Sequence, residues 1–124
     1  MTKYNTIEMM FDLPRRIKLI DKKIAVITAC SWEEENAERL YNKLVDIKLL
    51  RSRLYNKYTV LANRFNEFNQ DIRNAIGAVF SKNLSIHKVA ILTNSNEKLL
   101  QRKFDKVDKI LEYSIKENTN EQVL

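Results

Sequence analysis

A chain of 124 residues, 44% hydrophobic and 31% charged, is one domain's worth of sequence with enough apolar material to fold. One Gly and one Pro exclude the turn chemistry of β sandwiches and barrels, so the fold class is all-α. A single Cys, a single His and the lack of any run of roughly 18 apolar residues exclude an internal disulfide, a Cys/His zinc site and a membrane span; no metal or other cofactor is expected and the setting is cytoplasmic.

The net charge of +6 is unevenly spread. Residues 1–30 carry +3, 31–80 carry +1, 81–116 carry +4 and the tail from Glu117 carries −2. A basic segment near the C-terminus is an electrostatic footprint for nucleic acid, although small proteins with neutral partners can be as basic.

Residues 1–7 are polar and read as a frayed end. From Met10 the apolar residues Leu13, Ile17, Ile20, Ile24 and Ile27 recur at steps of three and four, which predicts a helix over about 13–29 with Pro14 in its first turn. Arg15, Arg16, Lys18, Lys22 and Lys23 lie off this seam as a solvated face. Cys30, with no base arranged around it in sequence, reads as a buried small hydrophobe. A short link at Cys30-Ser31 folds this helix back antiparallel on the next one.

Ser31-Trp32-Glu33-Glu34-Glu35 offers a capping hydroxyl and three acids for a first turn. Apolar residues then recur for six heptads, at Leu40, Leu44, Ile47, Leu54, Tyr58, Leu61, Phe65, Phe68, Ile72, Ala75 and Val79, with Arg51 the only misfit. This predicts one helix over 32–80, about 70 Å long, too long for a compact domain of this size to surround. The expected architecture is therefore an elongated helical hairpin or coiled-coil stalk over 1–80. Arg51 would set its register, and Leu54, Tyr58, Leu61, Phe65, Phe68 and Ile72 would form the seam of a homodimer or other oligomer. Gly77 permits a bend or a close helix contact. Trp32 and Tyr113 read as packing residues that cover helix ends.

The rhythm breaks at Ser81-Lys82-Asn83, where Asn83 can take the left-handed conformation that ends a helix. Next comes a helix of about two turns, capped by Ser85 and running through Ile86, His87, Lys88, Val89, Ala90, Ile91 and Leu92. Thr93-Asn94-Ser95-Asn96 is a polar turn. From Glu97 a longer helix buries Leu100, Phe104, Val107 and Leu111. Short helix, tight turn and long helix over 81–116 are the layout of a helix-turn-helix, with 117–124 a polar tail.

The string FSKNLSIHKVAILTNSNEKLLQRKFDKVDKIL resembles the fourth conserved region of bacterial sigma factors and the small phage regulators related to it. Phe80, Asn83, Ser85, Ile86, Val89 and Ala90 fall on that pattern, as do Asn96 at the recognition-helix cap and Leu100, Phe104 and Val107 on its buried stripe. Thr93 and Ser95 stand where Leu and Ile are usual, and Asn83 and Asn94 where Gly is usual. More loosely, the whole chain is similar to phage late-gene regulators of the ArpU and RinA kind. The resemblance implies a DNA-binding transcription regulator, an activator or sigma-like adaptor, working in a bacterial host cell on DNA and on bacterial RNA polymerase.

The outward residues of the last helix suit that role. Lys98, Gln101 and Arg102 would reach base edges, while Ser85, His87, Lys88 and Lys106 would lie nearer phosphates. The same residues also fit a solvated helix face, with Glu97, Asp105 and Asp108 as pairing partners. A helical interaction protein that binds RNA polymerase or another host or viral protein without reading DNA is thus the alternative. No carboxylate pair, nucleophile or Gly-rich loop converges on a catalytic constellation, so an enzyme is not expected.

Overall fold

In a computed structural model the chain is all-helical, with no strand among the described residues. The backbone is described for residues 3–123 and the side chains for residues 3–118. Among the described residues there are five helices, in order α1 (Asn5–Ala29), α2 (Glu34–Phe65), α3 (Gln70–Phe80), α4 (Ile86–Leu92) and α5 (Glu97–Val123). They fall into two compact units, one made of Met1–Phe11 with Thr59–Leu124, the other of Asp12–Tyr58.

Two helix starts differ from the sequence expectation. Helix α1 begins at Asn5, so the polar end is not frayed over its described residues; residues 1 and 2 lie outside them. The reason is burial: Tyr4, Ile7 and Met10 are all core residues, so the apolar rhythm extends further upstream than polarity suggested. Pro14 consequently sits in the interior of α1, where it has no N–H to give the carbonyl of Met10. Helix α2 begins at Glu34 because Glu33, not Ser31, supplies the first accepting carbonyl, to Ala37 N at 2.9 Å. Trp32 donates its Nε1–H to Ile27 O at 3.1 Å and so covers the end of α1. Cys30 is exposed, its thiol donating to Val26 O at 3.2 Å; the link it sits in has no core to enter.

The helix expected over 32–80 is two helices. After Ala62 O accepts from Asn66 N, the bonds tighten to the i→i−3 kind, Glu67 N to Arg64 O and Phe68 N to Phe65 O, both 3.1 Å. Asn69 then restarts the chain, its side-chain oxygen accepting from Asp71 N at 2.7 Å. Arg73 Nε–H donates to Phe68 O at 3.0 Å, satisfying a carbonyl that the break would leave without a partner. The Arg64–Glu67 ion pair spans the same turn. Gly77 makes no close contact: a Cβ there would meet nothing within 4 Å.

In the unit Asp12–Tyr58, Leu13, Ile17, Ile20 and Ile27 of α1 and Leu40 and Leu54 of α2 are buried, as a helical hairpin with a short link requires. Arg51, the misfit of the heptad pattern, meets Asp21 of α1, Nε to Oδ1 at 2.5 Å and Nη2 to Oδ2 at 3.4 Å. That hydrogen bond, and then the charge of Asp21, raise the guanidinium above its ordinary pKa. A charge thus fits at a seam position because the facing helix supplies its partner at the edge of the seam.

The other unit is built on aromatic rings. Phe104 is fully buried, with Tyr4 edge-on at 5.6 Å and Phe80 at 6.4 Å; Phe11 stacks on Phe80 at 5.9 Å and meets Phe65 edge-on at 6.0 Å. Ile7, Leu61, Ile76 and Leu111 are also fully covered, each contributing about 1.5–3 kcal/mol by leaving water. Helices α3, α4 and α5 pack on one another over Ala75, Ile76, Val89, Ala90, Leu100, Phe104 and Val107. Residues 117–123, expected as a polar tail, continue α5 to Val123, with the side chains from 119 outside the described residues.

Candidate nucleic-acid interface

Local capping sets the geometry of α3, α4 and α5. Asn83 has φ 59°, the left-handed conformation expected of it, and Leu84 N closes the turn on Ala78 O at 3.1 Å. The Ser85 hydroxyl caps α4 by accepting from Lys88 N at 3.1 Å. At the other end of α4, Asn94 is left-handed with φ 54°. Asn94 N donates to Ile91 O at 3.2 Å and Ser95 N to Ala90 O at 2.8 Å, a Schellman closure with Asn in the place of Gly. The Thr93 hydroxyl donates to Val89 O at 2.7 Å and lies 2.9 Å from Ser95 Oγ. Asn96 Oδ1 then accepts from Leu99 N at 3.1 Å and starts α5. Thr93 and Ser95, where the sequence pattern has larger apolar residues, border a groove of about 440 Å³ whose walls include Ala75, Leu84, Val89 and Leu92.

With Leu100, Phe104, Val107 and Leu111 buried, the opposite face of α5 carries Lys98, Arg102, Lys106 and Lys109, all exposed, at steps of three and four that keep them in one ridge. The acids of the same helix are engaged elsewhere. Glu97 Oε2 lies 3.0 Å from His87 Nδ1 of α4. Asp105 pairs with Lys3 at 3.5 Å. Asp108 accepts the backbone N–H of Ile7 at 2.9 Å. None of the three pairs with the ridge, and among the described residues Lys98, Arg102, Lys106 and Lys109 form no ion pair.

The sequence-predicted residues therefore divide. Lys98, Arg102 and Lys106 share the ridge. Gln101 is half-buried on the flank it shares with Asp105 and Asp108, one step round the helix. His87 is tied to Glu97, Ser85 uses its oxygen as a cap, and the Lys88 side chain is exposed on α4. Of the residues expected to form an oligomerisation seam, Leu54 and Leu61 are buried within a single chain, whereas Tyr58, Phe65, Phe68 and Ile72 are half-buried.

Sequence reasoning missed three features. Tyr113, expected as packing, is 66% exposed, because its place on α5 falls on the ridge side and not on the buried stripe. Ile91, Leu92 and Leu99 stand 66%, 67% and 50% exposed around the turn, which apolar content alone does not reveal. The remote use of Asp105 and Asp108 has no local signal at all. No helix of the described residues is long and apolar enough to cross a membrane, and no cluster of three metal-ligating side chains occurs among them. No protein-family model, curated protein or solved structure matches this chain.

Proposed function

We propose that α4 and α5 are a DNA-binding helix-turn-helix and that the protein is a transcription regulator of the phage type its sequence resembles. The observation that carries this is the ridge of unpaired cations on the outer face of α5, with every acid near it held by a different partner. Burying such a ridge against an uncharged surface would strand four charges, whereas a phosphate backbone neutralises them and releases counterions. Arg102 and Lys98, in the first turns of α5, take the positions from which base edges are read, and Arg offers a bidentate fork to guanine. Lys106 and Lys88 then serve as phosphate contacts that fix register.

The test is a binding titration on oligonucleotides selected from a random pool, at two salt concentrations. Arg102→Ala is expected to cost about 1–3 kcal/mol on the selected site and little on random DNA. Lys106→Ala is expected to weaken all sequences alike and to lower the salt slope by about one. No enrichment from the pool, together with identical behaviour of the two variants, refutes the reading.

A second reading is favoured by a separate observation. Ile91, Leu92 and Leu99 form an apolar exposure around the turn, beside the groove bordered by Thr93 and Ser95. Apolar patches of this kind mark protein-protein contact. On that reading the chain is an adaptor docking on RNA polymerase or another host or viral protein without reading DNA: the random pool yields no selected sequence, and Leu92→Asp abolishes capture of the protein partner while the variant melts like wild type.

A further inference from the structure

Helix α5 is longer than a groove reader needs. A recognition helix touches bases with three or four side chains near its start, and the major groove is about 12 Å wide. The exposed ridge runs from Lys98 to Tyr113, about 22 Å at 1.5 Å per residue. Its far part lies beyond any turn that reads bases, yet it keeps the same chemistry. Lys109 is exposed and forms no ion pair among the described residues, because Asp105, one turn before it, is paired with Lys3 at 3.5 Å. Tyr113, one turn after it, leaves two thirds of its surface in water. A large aromatic at that exposure contributes little to folding, and its phenol is a neutral hydrogen-bond donor on the same face. The pattern stops one turn later, where Lys116 is held by Glu112 at 3.2 Å.

We infer, resting on the DNA-binding reading above, that Lys109 and Tyr113 form an outer phosphate clamp on duplex DNA. When the start of α5 enters the major groove, the Lys109 ammonium and the Tyr113 hydroxyl contact backbone phosphates outside the base pairs that Lys98 and Arg102 reach. Lysine and tyrosine are both ordinary phosphate donors, and such contacts fix the orientation of a helix without carrying sequence information. The clamp extends the footprint of one short motif and sets the direction in which α5 lies across the groove. The duplex must be B-form, since the major groove of double-stranded RNA is too deep and narrow to admit a helix.

The experiment is phosphate-ethylation interference on the selected duplex, with salt titrations, for the wild type, Lys109→Ala, Tyr113→Phe and Arg102→Ala. In the wild type, ethylation is expected to weaken binding both at phosphates within the recognised pairs and at phosphates flanking them. Lys109→Ala should lose the flanking positions and lower the salt slope by about one. Tyr113→Phe should lose a flanking position with the slope unchanged, because a neutral hydroxyl releases no counterion. Arg102→Ala should keep the flanking pattern while losing sequence discrimination. An interference pattern and slope for Lys109→Ala identical to wild type overturns the clamp and leaves the DNA reading standing. A random pool from which no sequence is selected, with no interference at any phosphate of a pool duplex, overturns both. Thermal melts equal to wild type establish that the variants are folded; Lys109→Gln replaces Lys109→Ala should the latter melt lower.

Discussion

Asp108 acts as a helix cap supplied from the far end of the chain, and removing it measures how firmly the first turn of α1 is tied to α5. The first four N–H groups of a helix have no intrahelical acceptor. In α1 one of them, that of Ile7, donates to Asp108 Oδ1 at 2.9 Å across 101 residues of sequence, and the carboxylate also sits at the positive end of the α1 dipole. Losing an N-terminal cap costs about 1 kcal/mol, and losing a favourable anion at a helix start about 0.3–1 kcal/mol. Asp108→Ala should therefore destabilise the unit of Met1–Phe11 and Thr59–Leu124 by about 1–2 kcal/mol. For a unit of about 60–100 residues this lowers the melting temperature by about 5–15 °C. Asp108→Asn, which keeps an accepting oxygen and loses only the charge, should fall less than half as far. The assay is thermal unfolding followed by circular dichroism, with Asp105→Ala as the control, because Asp105 meets only the exposed ammonium of Lys3 and such pairs contribute little. If Asp108→Ala melts like Asp105→Ala, the cap is not what holds the N-terminus and the reasoning is wrong.

The same geometry fixes three further outcomes. Asn94→Gly should match or exceed wild-type stability, since φ 54° suits Gly, while Asn94→Ala should lose about 1 kcal/mol; urea midpoints for the pair decide it, and equal losses would refute the left-handed assignment. The phenol of Tyr4 is held above its ordinary value of 10.0 by burial first, and then by the charges of Asp105 and Asp108. Because the folded state binds that proton more tightly, its contribution is fully present below pH 10 and is lost as pH rises through the folded value, so urea midpoints should be level below pH 10 and fall above it, and Tyr4→Phe should flatten the fall. Arg51→Leu should leave the melting temperature unchanged or raise it, because the pair with Asp21 is exposed and Leu completes the seam; a clear drop would show that the pair specifies the hairpin.

What the sequence disclosed was what lies within one or two turns. Leu100, Phe104, Val107 and Leu111 occupy steps of three and four, and all four are buried. Ser85 and Asn96 each accept from the backbone N–H three residues on, and Asn83 takes the left-handed turn that Asn tolerates. The break at 66–69 was hidden for the opposite reason. Leu61, Phe65, Phe68 and Ile72 keep the heptad phase straight through it, so periodicity reports one helix while the cap at Asn69 makes two. At the N-terminus polarity outweighs the spacing of Tyr4, Ile7 and Met10, and the rings that meet Tyr4, those of Phe80 and Phe104, lie far along the chain.

The basic face shows where local reading stops. Whether Lys98, Arg102, Lys106 and Lys109 are a solvated face or an unneutralised ridge depends on where Glu97, Asp105 and Asp108 go, and on the helix itself those acids are within reach of the cations at steps of three and four. Spacing alone therefore favours the solvated face. The tertiary structure sends one acid to His87, one to Lys3 and one to the backbone of Ile7, so none of the three forms an ion pair with the ridge. The pairing on this face is thus a product of packing: Lys3 and the backbone of Ile7, by holding Asp105 and Asp108, leave the cations of α5 without an ion-pair partner among the described residues. On the DNA-binding reading, Lys3→Ala should accordingly free Asp105 for the lysines of α5 and lower the salt slope of binding, and adding Asp105→Ala should restore it; titrations of both variants against wild type at two salt concentrations measure this, and one common slope for all three refutes it.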